Sequence, residues 1–216
     1  MKNKELNIGF LYLGKFTSDF YKKEIEQLSI KNNRSYKLIE IEVNFNEWNE
    51  HLPYGFDELE PKLKKALLKL NSKEVDVIVI PNITLHFTLD RLNLPPELSN
   101  KIIHPITGII DYLIENRIKE ITLIGTRYTM NSKIMNEYFT KFGIELNKLN
   151  SKSIKQIDNL RSEIFENGYS EGIDVKMKTI IESLTNPILA CTELSILNIK
   201  NEYLDLSRKQ LAKCFI

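Results

Sequence analysis

Residues 75–87 read VDVIVIPNITLHF. Val75 to Ile80 is a mostly β-branched apolar run of the length of one strand, and such a run with no polar alternation fits a strand buried on both faces. Pro81 stops it, and Asn82, Ile83, Thr84, Leu85 and His86 follow. Near the other end, residues 186–197 read NPILACTELSIL. There a short apolar run, Pro187 to Ala190, breaks into Cys191, Thr192 and Glu193. Both stretches put polar side chains just beyond the carboxyl end of a buried strand. In parallel α/β sheets that is where ligands bind.

Working outward, strand-like and helix-like segments alternate. Leu6–Leu13 is a buried strand, and Ser18–Lys31 has helical spacing in Phe20, Ile25 and Leu28, with Ser18 as N-cap. Tyr36–Val43 alternates as an edge strand does, Asn44–Phe56 reads as a loop, and Asp57–Leu70 carries a helical apolar stripe. After an irregular piece around Pro95-Pro96, a helix spans about Thr107–Asn116. The grammar then restarts: strand Ile121–Ile124 ending in GTRYT, helix Ser132–Phe142, strand Ile144–Leu149, helices Ile154–Glu166 and Asp174–Leu184, strand Pro187–Ala190, strand Glu202–Asp205 and a C-terminal helix.

Strands separated by helices imply parallel sheets covered on both faces. The expectation is an α/β protein of two similar lobes, parallel sheets flanked by helices, with an active-site cleft between them. Residues 1–105 form the first lobe, with 206–216 packing back on it, and 106–205 form the second. The polar turns at 14–18, 81–86, 125–129 and 191–193 all fall at strand carboxyl ends.

Composition narrows the function classes. The 216 residues are 42% hydrophobic, enough for a sizeable core. Thirty Lys and Arg against 29 Asp and Glu leave a net charge of +1, so no charge excess recruits nucleic acid or a membrane surface. No apolar run approaches the roughly 20 residues of a membrane span, and no signal-peptide core is present. Two cysteines, Cys191 and Cys214, make no disulfide framework and suit a reducing, cytoplasmic setting. No GxGxxG, GxxxxGK[ST] or GxSxG occurs, and His51, His86 and His104 lack metal-ligand spacing.

The turns are rich in hydroxyls: Thr17, Ser18, Thr84, Thr126, Tyr128, Thr129 and Thr192. With the backbone N–H groups of strand-to-helix turns they suit carboxylate binding. Cys191 is the reactive-looking group among them. A helix N-terminus at the CTE turn would lower its pKa toward neutrality and let it act as a general base. Glu193 would either tune that thiol or bond to backbone. Each residue has a plainer role beside this one. Asn82 is a common turn residue, Thr126 and Thr129 would cap the helix near Ser132, Arg127 is a surface charge, His86 packs under its turn, and Cys214 is a bystander.

PNITLH at 81–86, LIGTRYTMNSKIMNEYF at 123–139 and ACTEL at 190–194 resemble the cofactor-independent aspartate/glutamate racemase superfamily. TSDFYKKEI at 17–25 resembles that group's first helix, and Asp205 stands where the group has an aspartate before the last helix. In that superfamily each lobe contributes a cysteine, in turns resembling PCNTxH and GCTEL, on opposite sides of the substrate α-carbon. Here Asn82 replaces the first cysteine, YLGKFT replaces a Gly-rich loop, and Lys209 or Gln210 stands where many relatives have histidine.

The resemblance implies a PLP-independent amino-acid racemase or isomerase, needing no cofactor or metal and acting on a small carboxylate or acidic amino acid, most often as a homodimer. Cys191 would be the acid/base, with Asn82 on the opposite face. Thr84, Thr126, Thr129, Thr192, Thr17 and Arg127 would bind substrate. Two alternatives stand beside it: a one-cysteine decarboxylase-like enzyme of the same superfamily, and a catalytically silent carboxylate binder.

Overall fold

The computed structural model describes residues 4–197 and 203–216. The chain divides into two compact units, Met1–His104 with Gln210–Ile216, and Pro105–Lys209. Each is built on its own parallel sheet.

In the first unit β1 (Leu6–Tyr12) lies between β2 (Tyr36–Glu42) and β3 (Val77–Val79). Leu6, Ile8, Phe10 and Leu11 are buried on both faces of the central strand, whereas β2 buries only Ile41 fully and exposes Lys37, Glu40 and Glu42, as an outer strand does. The ladder of β3 is three residues long, shorter than the apolar run that contains it. On its far side it meets Ile102 in an isolated parallel bridge. Packed on the sheet are α1 (Lys15–Asn32), α2 (Phe45–Asn49), α3 (Phe56–Asn71), α4 (Ile83–Leu89) and α5 (Pro96–Ser99). The apolar stripe Leu59, Leu63, Ala66, Leu67 and Leu70 of α3 is buried against Leu11, Val75, Ile78 and Ile80.

Three local expectations change here. Ser18 is not an N-cap: Gly14, at φ 106°, turns the chain after β1, so α1 starts at Lys15 and Ser18 is buried within it. That φ is open to glycine at little cost. The segment after Val43 is not a plain loop, because the Asn44 side chain accepts from the Glu47 N–H and Trp48 is buried, which fixes the short helix α2. The segment after Pro81 is the start of α4 rather than a free turn.

The second unit orders its sheet β5 (Glu145–Leu146), β4 (Glu120–Ile124), β6 (Pro187–Leu189), β7 (Leu204–Asp205), all parallel. Its helices are α6 (Pro105–Glu115), α7 (Arg127–Asn131), α8 (Lys133–Thr140), α9 (Ser151–Asn167), α10 (Glu171–Ile181) and α11 (Thr192–Ser195). Residue Glu202, expected to open the last strand, lies outside the described residues. Thr126 caps α7 rather than the next helix, whose cap is Ser132. The last helix, α12 (Leu206–Ala212), begins in the second unit and ends in the first. Among the described residues no helix is long and apolar enough to cross a membrane.

Candidate active site

In the second unit the GTRYT and CTEL turns leave neighbouring strands at the same sheet edge. The Ala190 N–H donates to the Ile124 carbonyl at 2.7 Å, joining the ends of β4 and β6. A Cβ on Gly125 would lie 3.2 Å from the Ala190 carbonyl oxygen, so glycine lets the two turns abut. Thr126 accepts from the Thr129 N–H at 3.1 Å and shares a 2.9 Å hydroxyl–hydroxyl bond with Thr129. Thr129 is buried. The side chain of Arg127 is exposed, while its N–H donates to Asp158 at 3.3 Å.

Cys191 is the N-cap residue of α11, with extended backbone at φ −153° and ψ 135° and no capping bond from its side chain. Its carbonyl accepts the Leu194 N–H at 3.0 Å. The thiol instead donates to Glu193 Oε2 at 2.7 Å. The other Glu193 oxygen takes Arg161 Nη1 at 3.3 Å, and Arg161 Nε reaches Asp158 Oδ1 at 3.2 Å. Arg161 Nη2 donates to Ser162 Oγ at 2.7 Å. Thr192, half-buried, opens α11 beside the thiol.

This geometry reverses the expected acidity. Burial and the neighbouring Glu193 carboxylate push the Cys191 thiol well above its ordinary range, and Arg161 pulls only partly the other way. A single-turn helix brings little macrodipole to offset them. Cys191 therefore rests as a thiol hydrogen-bonded to a carboxylate. Glu193 tunes it directly.

Behind the thiol, α11 is fastened from the C-terminal side. Arg208 Nη2 donates to the buried Ser195 carbonyl at 2.7 Å and Nη1 meets Asp205 at 2.7 Å. Asp205 also accepts the Ser207 and Arg208 N–H groups at 2.8 and 3.2 Å. Burial pushes the Asp205 carboxyl up against the pull of Arg208. The aspartate that matched the superfamily pattern thus works here as a helix cap and ion-pair anchor.

In the first unit Asn82 occupies the corresponding place on α4, N-cap at φ −155° and ψ 120°. Its Oδ1 accepts both the Leu85 N–H at 2.9 Å and the Thr84 hydroxyl at 2.7 Å. The amide oxygen is thereby committed and the amide N–H₂ is the remaining polar part of the side chain. The Asn82 carbonyl bonds His86 Nδ1 at 2.9 Å. His86 is buried edge-to-face on His104, 4.7 Å between centroids, and burial followed by the His104 charge lowers its pKa well below the usual imidazole value. It is a packed prop under its turn. Thr17 lies in the first turn of α1, after the strand adjacent to β3.

Gln210 closes this end of the unit. Buried, it accepts from the Tyr21 hydroxyl at 3.1 Å and donates to the Ile103 and Ile80 carbonyls at 2.7 and 3.3 Å. Ile80 is two residues before Asn82. Lys209 stacks over Tyr112 at 3.9 Å. Cys214 is buried, its pKa pushed by burial to about 12. Among the described residues no group of three or more His, Cys, Asp or Glu is placed to hold a metal ion.

Sequence reasoning missed Arg161, Asp158 and Arg208. On α9, Asp158 and Arg161 read as an i,i+3 pair on the polar face of an amphipathic helix. Nothing in that spacing separates a solvated pair from one turned toward a cysteine 30 positions on.

No family model and no curated protein matches the sequence. Solved structures do. A candidate Asp/Glu racemase from Yersinia pestis superposes with a TM-score of 0.78 at 20% identity, covering 97% of each chain. An aspartate racemase homologue from Pyrococcus horikoshii OT3 gives 0.76 at 18% identity, over 99% of this chain and 97% of that one. A maleate isomerase from Pseudomonas putida S16 gives 0.61 at 12% identity, over 96% and 90%. The chain has the aspartate/glutamate racemase fold. Its two α/β lobes with parallel, helix-flanked sheets are those of that fold.

Proposed function

We propose that the chain is a member of the aspartate/glutamate racemase superfamily and an isomerase acting beside a carboxylate, with Cys191 as acid/base and a small acidic amino acid as substrate. The observation that carries this reading is the Cys191 thiol at the carboxyl end of β6, bonded to Glu193 at 2.7 Å, in a chain of this fold. Removing an α-proton needs a base that reaches carbon and a partner that takes the base's own proton. Glu193 accepts the thiol proton and the sulfur then takes the α-proton; returning it from the sulfur regenerates the same enantiomer, and inversion takes its proton from solvent water on the other face of the planar carbanion. The hydroxyls of Thr126, Thr129, Thr192, Thr84 and Thr17, the Arg127 side chain and the Asn82 amide N–H₂ are the groups proposed to hold carboxylate oxygens. Kinship with the superfamily extends the proposal to a cytoplasmic homodimer.

Proton NMR in D2O with separate L- and D-aspartate and glutamate tests the proposal, Cys191→Ala serving as control. Loss of the α-proton signal with appearance of the other enantiomer, dependent on Cys191, is the expected result. No exchange on any of the four removes the amino-acid reading.

A second reading is favoured by one observation. Asn82 has no titratable group, and its oxygen is committed to Leu85 and Thr84. One thiol that rests protonated suits delivery of a proton to an enolate, as a decarboxylase of malonate-type acids requires. Exchange without inversion, or turnover of a substituted malonate alone, selects this reading. Ligand binding that survives Cys191→Ala, with neither exchange nor turnover, selects a silent carboxylate binder.

A further inference from the structure

Three carboxyl or thiol groups and one guanidinium form a line in the second unit: Cys191, Glu193, Arg161, Asp158. Arg161 stands between the two carboxylates, 3.3 Å from Glu193 and 3.2 Å from Asp158. All three ionic side chains are largely shielded, with exposures of 18% for Arg161, 16% for Glu193 and 21% for Asp158. Shielded charges at such separations act on one another strongly. We infer that Arg161 and Asp158 are positioning residues that set, through Glu193, how firmly the Cys191 proton is held. This deepens the proposed role of Cys191 and rests on it.

The direction of each influence follows from charge alone. Arg161 draws electron density at Glu193 toward itself and weakens that carboxylate's hold on the thiol proton. Asp158 competes for the same guanidinium and restores the hold. Asp158 also accepts the Arg127 N–H at 3.3 Å, at the first residue of α7. A ligand that engages the GTRYT turn therefore acts on the thiol through two ion pairs. Of the other charges around it, the Arg127 guanidinium stands 3.9 Å from Asp158, while Arg208 is bonded to Asp205 and to the Ser195 carbonyl and fastens α11.

The test is the pH profile of Cys191 alkylation by iodoacetamide, in a Cys214→Ala background, which reads the thiol whether or not the protein turns anything over. Arg161→Met should slow alkylation at fixed pH about tenfold, and Asp158→Asn should speed it by a similar factor. Arg161→Lys, which keeps the charge, should return most of the wild-type profile. Opposite signs from two neighbours distinguish this role from a structural one, because loosening of the site exposes the thiol and speeds both variants. Both variants faster, or both unchanged in folded protein, overturns the inference. If Arg161→Met does not fold, Arg161→Gln takes its place as the variant that should be slower, set against the faster Asp158→Asn. Opposite shifts in a protein with no exchange activity would keep the relay and remove the racemase reading; Cys191-dependent exchange with unmoved profiles would do the reverse.

Discussion

Asn82 and Cys191 occupy the same local position in the two halves of the chain. Each follows a three-residue parallel strand by a few residues, each is the N-cap of a short helix, and their backbones differ by only a few degrees in φ and 15° in ψ. Their side chains differ in what they do there. The Asn82 oxygen caps its helix and orders Thr84, so the residue is absorbed into the turn. The Cys191 sulfur makes no cap bond and turns to Glu193. A good capping residue stabilises the fold with the part of the side chain that chemistry would otherwise use. A poor one leaves its side chain available and needs other fastening, which Arg208 and Asp205 provide to α11.

The comparison breaks most visibly at Cys191. Cys191→Ala should lower α-proton exchange by about 10³-fold, the scale of a lost general acid/base, while the fold stays intact because no cap bond is lost. Rates measured by NMR in D2O check this. A loss of less than tenfold would move the chemistry away from this turn.

The halves also differ in how the C-terminal segment holds them. Gln210 clamps the first turn from behind with neutral bonds to Tyr21, Ile80 and Ile103, and Gln210→Ala removes all three of those buried bonds. The expected cost is about 2 kcal/mol, seen as a lower midpoint in urea unfolding. Because no charge is involved, it should not change between pH 6 and 8. A pH-dependent cost would contradict the neutral clamp.

Glu193→Gln sharpens the contrast from the other side. Removing the carboxylate charge takes away one of the two causes that raise the thiol's pKa. The thiolate fraction at a fixed neutral pH should rise, and alkylation with it, by about tenfold. The sign is set by the thiol being the protonated form: alkylation of both proteins climbs with pH, and the variant's climb begins lower. Cys214, pushed up to about 12, stays silent in this range.

Much of this was legible in the sequence. The parallel two-lobe architecture follows from the alternation of apolar runs with amphipathic helices, and Val75–Ile80 and Pro187–Ala190 marked the strands that carry the two turns. Local caps were less legible. Ser18 looked like an N-cap because its type fits, but Gly14, two positions before the first apolar helical residue Phe16, had already turned the chain. Asn44 with Glu47 three residues on is a capping pattern hidden in an otherwise loop-like segment. At the site, the thiol's acidity was misjudged because a helix N-terminus can be inferred from spacing, whereas burial and a carboxylate folded back at 2.7 Å cannot. Arg161 was invisible for a related reason: its partner Glu193 is 32 residues away.

The smallest effect is the most diagnostic for Asn82. Asn82→Ala should cost about 1 kcal/mol by loss of the cap to Leu85, measured by urea unfolding. Asn82→Asp keeps an oxygen at the cap and should recover most of that stability, but it replaces the amide N–H₂ donors with a second acceptor. If the side chain is only a cap, Asn82→Asp behaves as wild type in both stability and proton exchange. If the amide holds a substrate carboxylate, the same variant is stable yet loses exchange through a raised KM, since two anions would then face each other. Asn82→Cys completes the set. By analogy with Cys191 it forgoes the cap bond, so it should lose about as much stability as alanine. It also supplies the missing thiol, and a gain of inversion over one-sided exchange in that variant would mean that the two turns remain matched halves whose difference in chemistry resides in one side chain.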